Sequence, residues 1–239
     1  MKKRITILAA TKRKGDGVCV AGIDQDGSWI RLTRLNGNYI KKNDLFHDNE
    51  VIIDTFFEVD FEIEKHAPSP LNNEDYILAE NRKPTLIRKI YDDKERYDLL
   101  TKYADASVES IFNGGKRSLG LVECSGIVEI NTGWDKSGKF YSSISFKDNT
   151  GTVYKLLTTD LRWAAFGKHL MKKEGLQSLY LNETDLKKMI NHEKVFFSLG
   201  LVKETEAKMK ELIIGVFTIP DYAECKNFRD LQLLEKSIC

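Results

Sequence analysis

The sharpest alternation of apolar and polar positions lies at residues 56–64, FFEVDFEIE. Phe57, Val59, Phe61 and Ile63 alternate with Glu58, Asp60, Glu62 and Glu64. A period of two sends these sets to opposite faces of a strand. One face is core, and the other is an acidic ribbon turned to solvent or to a basic partner. Four like charges on one face also discourage pairing with a foreign edge. Three shorter apolar runs precede it: residues 5–10 (ITILAA), 18–23 (VCVAGI) and 28–33 (SWIRLT). Their links, TKRKGDG and DQDG, both contain Asp-Gly, which favours tight turns. They predict a three-stranded meander.

Residues 65–84 carry Pro68, Pro70 and Pro84 with Asn72 and Asn73 between, and read as an irregular excursion with a short helical piece. A strand at 85–91 and a helical stretch over 92–110 follow. Gly114, Gly115 and Gly120 mark the best boundary, which divides the chain into domains 1–115 and 116–239. The second half opens with a strand at 120–130, bent at Gly126, then a turn around Gly133. Strands at 139–146 and 152–158 form a hairpin through KDNTG. Asp160 reads as the N-cap of LRWAAFGKHLM. A short helix near 184–191, capped by Thr184 or Asn182, leads to strands at 194–201 and 210–218. Pro220 and a polar tail close the chain.

ITILAA, its basic link and VCVAGI are echoed weakly by KVFFSLG, a charged link and LIIGVF, as duplicated barrels would be. The fold class is mostly β with peripheral helices, in two small partly open barrels. SH3-like and PUA-like barrels share these cues, and periodicity does not separate them.

A length of 239 residues suits one large or two small domains. The apolar fraction of 41% builds ordinary cores, and a net charge of +1 excludes a general basic coat for nucleic acid. Yet the charge is segregated. Residues 1–45 hold ten Lys/Arg and four Asp, whereas residues 48–64 hold seven carboxylates and no Lys/Arg. A local basic patch is therefore open. Cys19, Cys124, Cys225 and Cys239 are widely spaced with no C-x-x-C, so they read as buried thiols and one terminal thiol. With no signal peptide and no run long enough to span a bilayer, a reducing, cytoplasmic location is expected. No Walker, H-E-x-x-H or G-x-S-x-G motif occurs. No catalytic residue, metal ligand or cofactor is assigned.

ILAATKRKGDGVCVAGIDQDGSWIRL resembles the opening of the dual OB-containing domain family. KHAPSPLNNED at 65–75, FKDNTGTVYKLLTTDLRW at 146–163, SLGLVKE at 198–204 and IIGVFTIPDY at 213–222 are similar, in order, to its later segments. Leu32 stands where the family commonly has proline after Trp-Ile-Arg, and can continue a paired strand that proline would interrupt. The resemblance implies two OB-like barrels in tandem that sense nucleic acid or a nucleotide, with a place in prokaryotic defence or stress systems.

Lys12, Arg13 and Lys14, with Arg31 and Arg34 on the same meander, form the first candidate site; phosphates favour such a cluster. Trp29 shares strand parity with Arg31, so the two either make a joint base-and-phosphate contact or pack together. Tyr39 and Phe46 would extend that surface. The second candidate is Arg162, which either binds phosphate or pairs with Asp160. Trp163 anchors its helix, and Lys168 and His169 permit an accessory basic surface. His66, Glu74 and Asp75 are the best polar set for proton transfer or metal binding, without a specific motif. The leading function is recognition of a single-stranded nucleic acid or nucleotide by a non-enzymatic module, with an effector protein as a further partner and no membrane. The alternatives are a scaffold that docks a basic partner on the acidic face, and a small hydrolase using His66 and its neighbouring carboxylates.

Overall fold

The computed structural model describes residues 1–13, 15–35, 39–69, 72–113, 117–205 and 208–237. The first half contains β1 (Lys2–Lys12), β2 (Gly17–Asp24), β3 (Trp29–Thr33), β4 (Ile40–Lys41), β5 (Phe46–His47), β6 (Glu50–Val51), β7 (Phe57–His66), β8 (Asp75–Leu78) and β9 (Thr85–Lys89). Helices α1 (Asp93–Tyr103) and α2 (Val108–Phe112) link it to the second half. There, β10 (Leu119–Trp134), β11 (Phe140–Asp148) and β12 (Val153–Thr158) precede α3 (Leu161–Lys173). The chain then runs through β13 (Ser178–Leu181), α4 (Glu183–Met189), β14 (Lys194–Thr205), β15 (Lys208–Ile219) and α5 (Phe228–Ser237).

Both halves close as five-stranded mixed barrels of OB type. In the first, the circuit is β1–β2–β3–β8–β7 and back to β1, and β3 and β8 are parallel. In the second it is β10–β11–β12–β15–β14 and back to β10, and β12 and β15 are parallel. Closure leaves few free edges, which is how small antiparallel sheets avoid edge pairing.

The apolar strands of the meander are used on both faces. Ile5, Ile7, Val18, Val20, Ile30 and Leu32 fill the first barrel. Leu8, Ala21, Ile23 and Trp29 point outward and meet Leu119, Leu121, Phe196 and Phe217 of the second. A near-continuous apolar run is what a strand buried on both sides needs. The barrels touch backbone to backbone at Gly215, where a Cβ would come within 2.5 Å of the Leu8 carbonyl oxygen. Phe56 and Phe217 pack edge to face nearby, with ring centroids 5.0 Å apart.

Several expectations change. The excursion at 65–84 holds β8, the strand that closes the first barrel. Gly133 is not in a turn: it lies inside β10, where a Cβ would come 3.0 Å from Ser178 on neighbouring β13. Gly126 does mark a bulge, and Asn182 caps α4 by accepting the Asp185 amide. The polar tail contains α5. Its Phe228 joins the core of the first barrel and its Leu231 that of the second. Between β3 and β7, where the second barrel's counterpart segment holds α3, the described residues of the first barrel form β4, a 3-10 turn at Lys42–Leu45 and the β5–β6 hairpin, with no α-helix among them. The chain's last helix covers that barrel instead. The internal echo also pairs strands that are not equivalent, because β14 and β15 occupy the fourth and fifth positions of their barrel, and β10 and β11 are the counterparts of β1 and β2. The expected boundary at Gly114 and Gly115, together with Pro70 and Cys239, lies outside the described residues.

Candidate nucleic-acid interface

The β1–β2 turn forms a basic rim on the first barrel. The Arg13 amide donates to the Gly17 carbonyl at 2.8 Å, closing the turn. β4 pairs with the start of β2 and brings Tyr39 beside it. The Arg13 guanidinium lies 4.6 Å from the Tyr39 ring centroid and donates to its hydroxyl at 3.2 Å. Tyr39 is 45% exposed and Lys12 is exposed. The Lys42 amide donates to the Asp16 carbonyl at 2.9 Å, which brings a further cation to this turn. Arg34 is half-buried and donates to Asp44 at 2.9 Å, so its charge is partly neutralised. Lys14 lies outside the described residues.

Trp29 and Arg31 do face the same way, but into the protein. Trp29 is 7% exposed and packs between the barrels. Arg31 is 6% exposed; its Nε donates to Asp75 at 2.6 Å and its Nη1 reaches the Ser118 hydroxyl at 3.4 Å. Neither side chain offers a surface to a base or a phosphate. Phe46 packs edge-on against Phe228, with centroids 5.7 Å apart.

Arg162 is also committed inside. Its guanidinium meets both carboxylate oxygens of Asp221, at 2.9 and 2.5 Å, and its Nε donates to the Lys226 carbonyl at 2.7 Å. Arg96 of α1 approaches the same carboxylate at 3.2 Å. Burial pushes the Asp221 carboxyl up, but the two guanidinium groups outweigh it and hold the carboxyl below its usual range. Asp160, not a partner of Arg162's side chain, caps α3 by accepting the amides of Arg162 and Trp163 through one oxygen. Its other oxygen accepts the Val216 amide at 2.9 Å. Burial nonetheless raises its pKa to about 6. Trp163 anchors α3 on the second barrel, its indole donating to the Ser142 hydroxyl at 3.0 Å.

His66, Glu74 and Asp75 serve separate partners. His66 stacks on Tyr76 at 4.4 Å and contacts the Asn73 carbonyl. Asp75 holds Arg31. Glu74 is buried and accepts the Ser118 amide at 2.6 Å and the Ser118 hydroxyl at 3.0 Å, tying the first barrel to the start of the second. Among the described residues, no group of three or more His, Cys, Asp or Glu side chains is placed to hold a metal ion. The acidic ribbon of β7 is neutralised from both sides. Asp60 pairs with Arg4 and Lys2, which hold its pKa at about 2, and Glu58 pairs with Arg88. Only Glu62 and Glu64 of that face stay exposed. A cleft of about 360 Å³ lies between the first barrel and α1, floored by Ile23, Leu99 and Tyr103, and none of the residues expected at the site lines it. No described helix is long and apolar enough to cross a membrane.

The basic rim was legible in the sequence from Lys12 and Arg13. Lys42 was missed, because only the fold brings it to the β1–β2 turn. OB architecture is generally associated with binding single-stranded DNA or RNA, through aromatic stacking beside cations. A search of curated proteins finds no match to the chain. A family model, described as the dual OB-containing domain, matches residues 3–183. With that match covering most of its length and both barrels closed in OB order, the chain belongs to the dual OB-containing domain family.

Proposed function

We propose that this protein recognises single-stranded nucleic acid at the rim of its first barrel. Lys12 and Arg13 hold phosphates, Lys42 adds to their field, and Tyr39 stacks the base. The observation that carries this reading is the Arg13–Tyr39 pair, an exposed aromatic with a guanidinium over its face. Such a pair offers a base one surface and a phosphate another. The reading treats the protein as a cytoplasmic sensing module that reports to an effector protein in a prokaryotic defence or stress system.

Fluorescence polarisation with short single-stranded RNA and DNA, duplexes and free nucleotides tests it. Single strands are expected to bind more tightly than duplexes. Tyr39→Ala is expected to cost about 1–3 kcal/mol, as the loss of one stacked base does. Equal affinity of the wild type and of both Arg13→Ala and Tyr39→Ala would remove the rim from the account.

A further inference from the structure

We propose that the second barrel carries its own base-stacking site at Trp134, Phe140 and Lys168, and that this site continues the first barrel's rim into one track for a single strand. The proposal rests on the nucleic-acid reading above and extends it to a surface on the other barrel.

Trp134 and Phe140 form the last pair of the β10–β11 ladder, at the mouth of the turn that corresponds to the basic turn of the first barrel. The chain has three tryptophans. Trp29 and Trp163 are 7% and 5% exposed, whereas Trp134 is 40% exposed. The core therefore does not account for its placement. Phe140 meets it edge to face at 5.4 Å and rests against α3 at Gly167, where a Cβ would come 3.2 Å from the ring. The Lys168 ammonium stands 5.2 Å from both ring centroids. A base stacked on the indole would leave Lys168 beside its phosphate.

The turn between the two aromatics is already ordered. One oxygen of Asp135 accepts the amides of Ser137 and Lys139 and the Ser137 hydroxyl, all within 2.9 Å. Its one carboxylate is thus engaged inside the turn, which also carries Lys136 and Lys139. A preformed loop binds without a further ordering cost.

Lys168 also lies within electrostatic reach of the first barrel's rim. The Lys12 amide donates to the Thr159 carbonyl at 3.1 Å, immediately before the cap of α3. Lys42 reaches Gln232 on α5, at 3.5 Å, and α5 packs along α3. Burial lowers the pKa of Lys168; the charge of Glu235 pulls it back up, and the weaker fields of Lys12 and Lys42 reach it and lower it again. Three lysines within one another's field are a ready partner for a phosphate backbone.

Intrinsic fluorescence provides the test, because Trp134 is the exposed indole. An oligothymidylate of about twelve residues, a length within reach of one or two OB folds, is titrated into the full chain, and its binding is followed in parallel by polarisation of a labelled copy. Quenching of the wild type, absent in Trp134→Ala, is expected. Trp134→Ala should weaken binding about 5- to 160-fold, the range set by one lost stacking contact, and Lys168→Gln should weaken it with a shallower salt dependence. A four-residue oligothymidylate should bind more weakly than the longer one. If the oligomer binds with salt-dependent affinity but neither variant changes affinity or quenching, the second-barrel site is overturned and the first-barrel rim stands. If no oligomer binds, the nucleic-acid reading falls and this site falls with it.

Discussion

Arg162 and Asp221 grip each other end to end, Nη1 to Oδ1 at 2.9 Å and Nη2 to Oδ2 at 2.5 Å, both almost wholly buried. Arg162 opens α3, whereas Asp221 follows the last barrel strand, and α1 adds Arg96 to the same carboxylate. Removing Asp221 takes away the carboxylate that two buried guanidinium groups share, and leaves Arg162 only the more distant field of buried Asp54. Asp221→Ala is therefore expected to cost about 3–5 kcal/mol in urea unfolding, the usual penalty for an orphaned buried ion. A loss under about 1 kcal/mol would show that water reaches the cluster.

The stability of the protein should carry a signature of Asp160. Its folded pKa, raised to about 6 by burial, lies above the ordinary value of 3.8. Below both values the group is protonated in both states. Between them the folded protein keeps a proton that the unfolded chain releases, so Asp160's contribution to stability falls as pH rises. Above about pH 6 the cost of burying the charge is fully present. The displacement corresponds to about 3 kcal/mol. Asp160→Asn keeps a helix-capping oxygen but does not titrate. Wild-type stability minus that of the variant should decline from pH 4 to pH 6.5 and then level off. A difference that rises over this window would contradict the assignment.

The last helix should stabilise the first barrel more than its position in the chain suggests. Phe228 is fully buried in that barrel's core, and its amide donates to the buried Asp54 at 2.9 Å. Phe228→Ala is expected to cost about 3–5 kcal/mol. Hydrogen exchange should then quicken in β1 and β7, far away in sequence. Faster exchange confined to residues 221–237 would mean that α5 only decorates the surface.

Much of this was readable from residues alone. Period-two patterning located β7, and Asp-Gly turns located the meander, because both signals are local. Asp160 announced the start of α3 for the same reason. The partners of Trp29 and Arg31 were not legible: parity put the two side chains on one face, but only the second barrel decides that this face is interior. Arg162 misled in the same way, since Asp221, the partner that neutralises it, lies 59 residues away. β8 was hidden because Asp75–Leu78 is short and sits among prolines and asparagines, and its pairing with β3 is long-range. α5 could have been found. Phe228, Leu231 and Leu234 recur at helical spacing within an otherwise polar tail. The acidic ribbon was read correctly as a face, but its neutralisation by Arg4 and Arg88 depends on strand neighbours that periodicity does not name.

The central claim is that the rim of the first barrel binds a single strand through its phosphates. The most direct measurement is the affinity for a labelled single-stranded oligonucleotide as a function of salt concentration, for the wild type and for Arg13→Ala. Each phosphate contact to a single strand contributes a slope of about −0.7 in log affinity against log salt. The expected result is a wild-type slope of about −1.4 or steeper, from Lys12 and Arg13 at least, and a slope shallower by about 0.7 in the variant. An affinity that does not change with salt, or a slope that Arg13→Ala leaves untouched, would contradict it.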